Sequence, residues 1–189
     1  MFDPVGVGDV FLVLFPRVAL ALTRGYHCLS PVRAYSEHYR SLGMDEFLDA
    51  AIAEARLGLA EGGIPIGSVL VIDGVIVGRG HNRRVQDGSA IRHAEMDCLE
   101  NAGRLSAGEY RRATLVSTLS PCDMCSGAVL LYGIGRVVIG ENRTFRGPED
   151  YLRGRGVELV IADHAECRQL METFIAEHPA LWNEDIGEL

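Results

Sequence analysis

Two short segments of this chain carry side chains that can bind a metal and move protons. The first, residues 93–95, reads His-Ala-Glu, and the second, residues 121–125, reads Pro-Cys-Asp-Met-Cys. Thiolate sulfur and imidazole nitrogen are ligands that Zn²⁺ takes in tetrahedral protein sites. Cys122 and Cys125 are three positions apart, so in the first turn of a helix both sulfurs project from one face. With His93 as a third ligand, the two segments predict a zinc site.

A catalytic role for this zinc follows from the number of ligands. Three protein ligands leave the fourth tetrahedral position to a water molecule, as in catalytic zinc sites. Zinc lowers the pKa of its water to about 7, and the proton then needs an acceptor within hydrogen-bond reach. Glu95, two residues from His93, is predicted to take that proton and return it to a ring nitrogen and a departing amine. The order His-x-Glu, then Pro-Cys-x-x-Cys, is the known signature of zinc nucleobase deaminases.

The same residues are open to two other interpretations. A Cys-x-x-Cys pair also occurs in thioredoxin-type redox sites, but that chemistry leaves the His-x-Glu segment unexplained. A noncatalytic, zinc-stabilised binding module needs a fourth protein ligand to close its site. The candidates are Cys98, Cys167 and His81. The two cysteines are better explained as small buried core residues, and His81 as a structural hydrogen-bonding group.

Alternating strand and helix patterns surround these segments. Asp73-Gly74, between two β-branched runs, is a strong hairpin signal. Ser120-Pro121 predicts a helix start, with serine as the N-cap and proline at the first helical position. The pattern indicates an α/β fold, a sandwich with a mixed sheet of five strands. The predicted strands cover residues 66–72, 75–80, 114–118, 136–139 and 157–161, and the predicted helices cover residues 47–59, 92–102, 122–132 and 163–177.

Composition excludes several classes of protein. The chain has 189 residues, 48% of them hydrophobic, and a formal net charge of −8. Acidic proteins are poor nonspecific ligands of nucleic acid, which is bound largely by neutralising phosphates. No apolar run reaches the roughly 18 residues of a membrane span. Five cysteines without framework spacing indicate a reducing compartment, so we expect a cytoplasmic protein. The paired arginines at 83–84 and 111–112 are predicted to be solvated loop charges.

Residues 1–43 differ in charge from the rest of the chain. They carry four arginines against three acids, and the remaining 14 arginines and 23 acids give residues 44–189 a net charge of −9. A signal peptide would place positive charge before its apolar stretch, whereas here only Asp3 and Asp9 precede it. Met44 then opens a regular amphipathic helix pattern. We expect Met44 to be the start, residues 1–43 to be an extension outside the fold, and residues 44–189 to form a zinc-dependent deaminase domain.

At these motifs the sequence resembles the cytidine and deoxycytidylate deaminase superfamily, and within it the yeast-type cytosine deaminases. The resemblance covers most of residues 44–189. The tail is its most discriminating part, because every branch of the superfamily shares the zinc motif. The matching stretches are residues 61–67 (EGGIPIG), 78–82 (GRGHN), 99–101 (LEN), 118–125 (TLSPCDMC) and 140–142 (GEN), Phe145, and residues 182–188 (WNEDIGE).

That resemblance implies a three-layer α/β/α sandwich with a five-stranded mixed sheet, and a homodimeric enzyme with one Zn²⁺ per subunit. It would hydrolyse free cytosine to uracil and ammonia in pyrimidine salvage, with zinc-bound water attacking C4 and Glu95 as the proton shuttle. The expected partner is a small nucleobase, with no nucleic acid and no membrane. The zinc ligands would be His93, Cys122 and Cys125.

The resemblance also implies which residues bind the base. Asn82 and Asp185 would hydrogen-bond the N1/O2 side of the ring, with the backbone N–H of Ala94 also near O2. The backbone N–H of Cys122 would meet the attacking oxygen, and Ser120 would lie near the leaving amine. The apolar and aromatic walls would be Ile66, Phe145 and Trp182.

One position departs from the yeast-type pattern. Ala94 stands where that pattern has glycine, and residues 96–98 differ as well. His-Ala-Glu is common in guanine deaminases and tRNA adenosine deaminases of the same superfamily, so both remain alternatives. The net charge of −9 and the acidic tail disfavour a tRNA substrate. Guanine would need a larger pocket, and the bulky side chains of Trp182 and Phe145 disfavour one.

Overall fold

The computed structural model describes residues 43–188, and the predictions for residues 1–42 lie outside this part of the chain. Within it, no helix is both long and apolar enough to cross a membrane. The helices are α1 (Asp45–Ala60), α2 (Arg84–Asp87), α3 (Ala94–Ala102), α4 (Ala107–Arg112), α5 (Asp123–Tyr132), α6 (Glu149–Gly154), α7 (Ala165–Glu177) and α8 (Pro179–Ile186). The strands are β1 (Gly67–Ile72), β2 (Val75–His81), β3 (Ala113–Leu119), β4 (Arg136–Glu141) and β5 (Glu158–Ile161).

The strands form one mixed sheet in the order β2-β1-β3-β4-β5. β1 pairs antiparallel with both β2 and β3, whereas β3, β4 and β5 are parallel. The β1–β2 hairpin turns at Asp73 and Gly74, whose φ angles of 50° and 80° are those of a tight hairpin turn. The predicted hairpin and the predicted five-stranded mixed sheet are therefore confirmed.

Helices cover both faces of the sheet. Successive side chains of β1 point to opposite sides, and all of them are buried, so both faces need apolar cover. Val69 packs in a cluster with Leu48 of α1 and Cys167 of α7. Leu70, the next residue, packs in a second cluster with Cys98 of α3. The two clusters are separate apolar cores on the two sides of one sheet. This arrangement confirms the predicted three-layer sandwich.

Two glycines of β2 let α3 approach the sheet closely. A Cβ atom at Gly80 would lie 2.3 Å from the backbone nitrogen of Cys98, and one at Gly78 would lie 2.6 Å from its carbonyl oxygen. Both distances are far below van der Waals contact, so a larger residue at either position would push α3 away. The close approach fixes the start of α3, where His93 and Glu95 lie.

Helix α5 begins later than the sequence predicts. Its N-cap is Cys122, with an extended backbone (φ −71°, ψ 178°), and its first residue is Asp123. Ser120 does not cap the helix, because its N–H still donates to the carbonyl oxygen of Glu141 and its hydroxyl donates to Glu149. The chain thus stays attached to β4 until just before the first candidate thiol.

Candidate active site

His93 and Cys122 occupy equivalent positions at the starts of two helices. His93 is the N-cap of α3 and Cys122 is the N-cap of α5, both with extended backbones. The free N–H groups of a first helical turn create partial positive charge, which stabilises a thiolate. Cys125 lies in that first turn of α5, so one helix start supplies two thiols.

The structure brings the three predicted zinc ligands together. One ligand atom each from His93, Cys122 and Cys125 lies within 4.8 Å of the other two. His93 Nδ1 is the ring nitrogen that faces the thiols, at 3.5 Å from Cys122 Sγ. Its Nε2 faces Asp185 Oδ1 at 3.8 Å, a contact that helps to orient the ring. Two thiols and one imidazole nitrogen form a donor set that fits Zn²⁺.

The charge state of the thiols also suits a metal. A hydrogen bond with Cys125 lowers the pKa of Cys122 to about 4, against the effect of burial and with help from His93. The same hydrogen bond, together with burial, raises the pKa of Cys125. Burial works to lower the pKa of His93, but the hydrogen bond to Cys122 and the charge of Asp185 outweigh it and raise this pKa. Cys122 is therefore a thiolate at neutral pH before any metal binds.

Glu95 is buried directly beside the thiols, with only 4% of its surface exposed. Its Oε1 accepts a hydrogen bond from Ser117 Oγ at 3.1 Å, and its Oε2 accepts one from Cys125 Sγ at 3.3 Å. Burial, followed by the nearby charge of Cys122, raises the pKa of this carboxyl. A fixed carboxyl with a raised pKa is suited to carry a proton between two reacting atoms.

Asn82 and Asp185 lie on the other side of the His93 ring. Asn82 directly follows β2, Asp185 lies on α8, and both side chains are buried. Asn82 Nδ2 donates to Asp185 Oδ1 at 3.1 Å. An amide and a carboxylate held side by side offer both a donor and an acceptor to one edge of a flat ring.

Apolar and aromatic side chains close the space between these groups. The rings of Phe145 and Trp182 meet edge to face, with centroids 6.0 Å apart and planes at 85°. The cavity that they line has a volume of about 20 Å³, room for about one water molecule. Admission of a base therefore requires its walls to move. The lining residues are Ile66, His93, Glu95, Leu119, Ser120, Cys122, Phe145, Trp182, Asp185 and Ile186, and Ala94 packs behind them in the same apolar cluster as Ile66 and Trp182.

The hydroxyl of Ser120 has a structural role beside the cavity. It donates to Glu149 Oε1 at 3.1 Å and accepts from the N–H of Gly147 at 3.2 Å. Glu149, which is buried, also accepts from Asn142 Nδ2 at 2.8 Å. These bonds anchor the segment between β4 and α6, which carries Phe145. The side chain of Ser120 thus supports one wall of the cavity.

Arg84 is the residue near this site that the sequence does not reveal. The prediction that it is a solvated loop charge is wrong, because its side chain is only 16% exposed and its Nη1 donates to Asp185 Oδ1 at 3.0 Å. Its partner lies 101 positions away, so no local pattern signals the pair. The only hint is its position, two residues after Asn82.

Other residues weighed as extra metal ligands lie where the sequence predicts. The ring of His81 is buried between two carboxylates, with Nδ1 3.3 Å from Glu54 and Nε2 3.0 Å from Glu61. Cys98 and Cys167 are buried in the two cores, and burial raises the pKa of both thiols. None of the three lies in the cluster around His93. Their predicted structural roles are confirmed.

Comparison with known proteins agrees with this geometry. The sequence profile described as "Cytidine and deoxycytidylate deaminase zinc-binding region" matches residues 43–141. A cytosine deaminase from Candida albicans is 53% identical over 142 residues, which cover 75% of this chain and 95% of that protein. A tRNA-specific adenosine deaminase from Streptococcus pyogenes is 35% identical over 148 residues, which cover 69% of this chain and 89% of that protein. A solved guanine deaminase from Nitrosomonas europaea superposes with a TM-score of 0.55 at 22% identity. The superposition covers 69% of this chain and 83% of that protein.

The chain therefore belongs to the cytidine and deoxycytidylate deaminase family. It is a zinc-dependent hydrolytic deaminase, and the cluster of one histidine and two cysteines fits that cofactor. The resemblance to the yeast-type cytosine deaminases is confirmed by the Candida albicans relative, and the deaminase-like α/β fold by the solved structure.

Proposed function

We propose that the protein converts free cytosine and water to uracil and ammonia. The observation that carries this proposal is one small cavity lined by both Glu95 and Asp185, with Asn82 hydrogen-bonded to Asp185 at its edge. Such a cavity can hold a small flat ring by its edge and present one carbon to a nucleophile. The 53% identity to a cytosine deaminase supports the choice of base.

In this proposal His93, Cys122 and Cys125 hold the zinc ion. Bound zinc supplies a Lewis acid that makes water a nucleophile near neutral pH. Cys122 is a thiolate from the outset, so of the two thiol ligands only Cys125 has to release its proton when a metal binds. The N–H of Cys122, at the N-cap of α5, would donate a hydrogen bond to the attacking oxygen.

Glu95 moves the protons of the reaction. Its carboxylate takes one proton from the attacking water and passes it to N3 of the ring while the oxygen bonds to C4. It then takes the second proton of that water and passes it to the exocyclic nitrogen, which leaves as ammonia when the C4–N bond breaks. The oxygen of the water stays on C4 and the first proton stays on N3, so the product is uracil. The raised pKa of Glu95 brings it closer to the working pH, where both of its protonation states are accessible.

Asn82 and Asp185 select and orient the base. Asp185 would accept the N1–H, a donor that only the free base has, because a nucleoside carries its sugar on that nitrogen. Asn82 has a second amide hydrogen that can donate to O2, and the N–H of Ala94 can donate there too. Ser120 would lie near the leaving amine. Ile66, Phe145 and Trp182 would form the walls that hold the ring flat.

Guanine is the second candidate base, favoured by Ala94 in the His-Ala-Glu segment. Ala94 is fully buried and packs in one apolar cluster with Ile66 and Trp182, so its methyl group lies behind the walls that these two residues form. The closely packed rings of Phe145 and Trp182 favour a one-ring base over a purine.

We also propose that the substrate is a free base and not a nucleic acid. Residues 44–189 carry a net charge of −9, which opposes binding to a phosphate backbone. Helix α8, which carries Glu184 and Asp185, covers the cavity and would block an RNA loop. A free-base substrate places the reaction in pyrimidine salvage. All four cysteines of the described chain are free thiols, which suits the cytoplasm.

A homodimer is a further part of the proposal. Leu131 of α5 is 77% exposed and Tyr132 is 40% exposed. They line a surface cavity of about 580 Å³ together with Met96 and Leu99 of α3. An exposed apolar patch of this kind suits the packing of a second copy on the two helices that carry the zinc ligands. Sedimentation of the full chain and of Leu131→Glu tests this: the variant should be monomeric, and an unchanged mass would contradict the interface.

The boundary of the catalytic domain remains our proposal as well. The side chain of Met44 is 6% exposed and packs with Phe47 and Val69, so residues 44–189 include a complete first helix and core face. Expression of residues 44–189 alone should give a folded, active enzyme if residues 1–43 are an extension outside the fold.

The experiment that tests the function is a substrate panel. The zinc-loaded protein is given cytosine, guanine, adenine, cytidine and a tRNA, and ammonia release is measured with Glu95→Ala as the blank. We expect cytosine to have the highest kcat/KM, with no release from the tRNA. Preference for guanine would support the second candidate. No release from any member, with zinc still bound, would indicate a noncatalytic zinc-stabilised module.

A further inference from the structure

We propose that Arg84 is a positioning residue that locks helix α8 over the cavity by holding Asp185. The inference rests on the proposed function only for the identity of the base. It comes from three contacts that converge on one oxygen atom. Asp185 Oδ1 lies 3.1 Å from Asn82 Nδ2, 3.0 Å from Arg84 Nη1 and 3.8 Å from His93 Nε2.

The contacts leave the second oxygen of Asp185 for a ligand. Within residues 43–188, the hydrogen bonds and ion pairs of this carboxylate all go to Oδ1. The side chain is 3% exposed and faces the cavity. With Oδ1 fixed by Arg84, the carboxylate cannot rotate freely, and Oδ2 is held where it can accept a ring N–H.

Arg84 also fixes Asn82. The backbone N–H of Arg84 donates to Asn82 Oδ1 at 3.0 Å, so the amide must turn Nδ2 toward Asp185. One residue thus orients both groups that face the edge of the base, the amide through its main chain and the carboxylate through its side chain.

The other surroundings of Arg84 show that this ion pair has no substitute. Its second acidic neighbour, Glu184, is 3.6 Å away and 70% exposed, a geometry that contributes little. Among residues 43–188 its Nε is buried without a hydrogen-bond partner, which is unfavourable, so the bond from Nη1 to Asp185 is its main polar contact in α8. A cavity of about 380 Å³, lined by Ile64, Val85, Leu181 and Glu184 among others, lies beside Arg84. Packing between α2 and α8 is therefore incomplete, and the ion pair bridges the gap.

The lock has a specific consequence for catalysis. Because the cavity has room for about one water molecule, α8 or the other walls must move before a base can enter. Loss of Arg84 would leave Asp185 as a buried charge without its partner, which favours the displaced position of α8. Base binding would then weaken, whereas the zinc ligands and Glu95, which Arg84 does not contact, would keep their places.

The test compares Arg84→Gln, Arg84→Lys and the matched control Arg83→Gln in the zinc-loaded full chain. Arg83 is the adjacent residue and carries the same charge, but it pairs with Asp87 and not with α8. Each variant is assayed for zinc content, KM, kcat and the amide hydrogen exchange of residues 180–187 without substrate.

We expect Arg84→Gln to raise KM about tenfold or more with a smaller change in kcat. Exchange in residues 180–187 should be faster and zinc content unchanged. Arg84→Lys should have a KM and an exchange rate between those of Arg84→Gln and the wild type. Lysine keeps the positive charge but lacks the planar, forked set of guanidinium donors. Arg83→Gln should match the wild type. Wild-type KM and exchange in Arg84→Gln, or equal effects in Arg83→Gln, would overturn the proposal.

The test still decides if the Arg84→Gln variant does not fold or if the wild type has no cytosine deaminase activity. If Arg84→Gln does not fold, Arg84→Lys decides alone: native KM and native exchange in that variant would contradict the lock. If the wild type does not deaminate cytosine, the proposed function fails, but the hydrogen-exchange comparison still tests the lock.

Discussion

Ser117 of the central strand β3 donates a hydrogen bond to Glu95 at the start of α3, with 3.1 Å between Oγ and Oε1. The strand and the helix are thereby linked through the carboxyl group that is proposed to carry protons. Ser117 is fully buried, so water does not compete for this bond. The rigid middle of the sheet thus sets the direction in which the carboxyl points.

Replacement of Glu95 by Gln tests the role of the carboxyl itself. The amide keeps the shape of the side chain and can still accept from Ser117, but it cannot take a proton. We expect turnover to fall by about 10²–10⁴-fold or more, while the zinc content stays at that of the wild type. Metal analysis and ammonia release measure the two quantities on one sample. Turnover near the wild-type rate would rule out Glu95 as the proton carrier.

Replacement of Ser117 by Ala tests the positioning of Glu95. We expect kcat to fall about tenfold with KM nearly unchanged, because the carboxyl remains but is less well directed. The matched control is Ser68→Ala. Ser68 is the β1 partner of Ser117 and is equally buried, but its hydroxyl donates to the Val116 carbonyl oxygen at 3.0 Å. The control should lose stability without losing kcat; equal losses of kcat in both would contradict the positioning role.

Gly80→Ala tests the close contact between β2 and α3. The new methyl group would lie 2.3 Å from the backbone nitrogen of Cys98, so the helix must shift. We expect a loss of about 1–3 kcal/mol in the free energy of unfolding and reduced zinc affinity, because His93 moves with α3. Urea unfolding and metal titration measure both. The control Gly127→Ala, in α5 with open space where the new Cβ would lie, should be stabilising by about 0.5–1 kcal/mol.

Removal of the metal exposes the unusual acidity of Cys122. Its pKa of about 4 means that the thiolate predominates throughout pH 6 to 8 in the zinc-free protein. Alkylation of Cys122 should therefore proceed at a nearly constant rate across this range, whereas an ordinary thiol reacts about tenfold faster per pH unit below its pKa near 8.5. Burial raises the pKa of Cys167 to about 12, so that thiol should stay unlabelled. Peptide mass spectrometry distinguishes the sites. A rate for Cys122 that climbs steeply with pH would contradict this assignment, and bound zinc should protect the residue.

The zinc cluster could be predicted from the sequence because its ligands lie in two local motifs at helix starts. The strands could be predicted as well, since β1 and β3 are continuous runs of buried residues. Helix α8 has no counterpart among the predicted helices, because it is short and begins at Pro179 directly after α7. Its contact with Arg84 depends on the folded arrangement of two segments 101 residues apart, which no local pattern encodes. The position of Ser120 before Pro121 predicts a helix N-cap, but the hydroxyl instead donates to the buried Glu149, which is 29 positions away.

In the proposed reaction, the oxygen of water replaces the amine on C4 of free cytosine. It is tested most directly by incubating the zinc-loaded protein with cytosine in oxygen-18 water and analysing the product by mass spectrometry. We expect uracil with one labelled oxygen at C4, the original oxygen at C2 unlabelled, and ammonia in equal amount. Absence of uracil, while another base is deaminated or zinc is bound without turnover, would contradict the account.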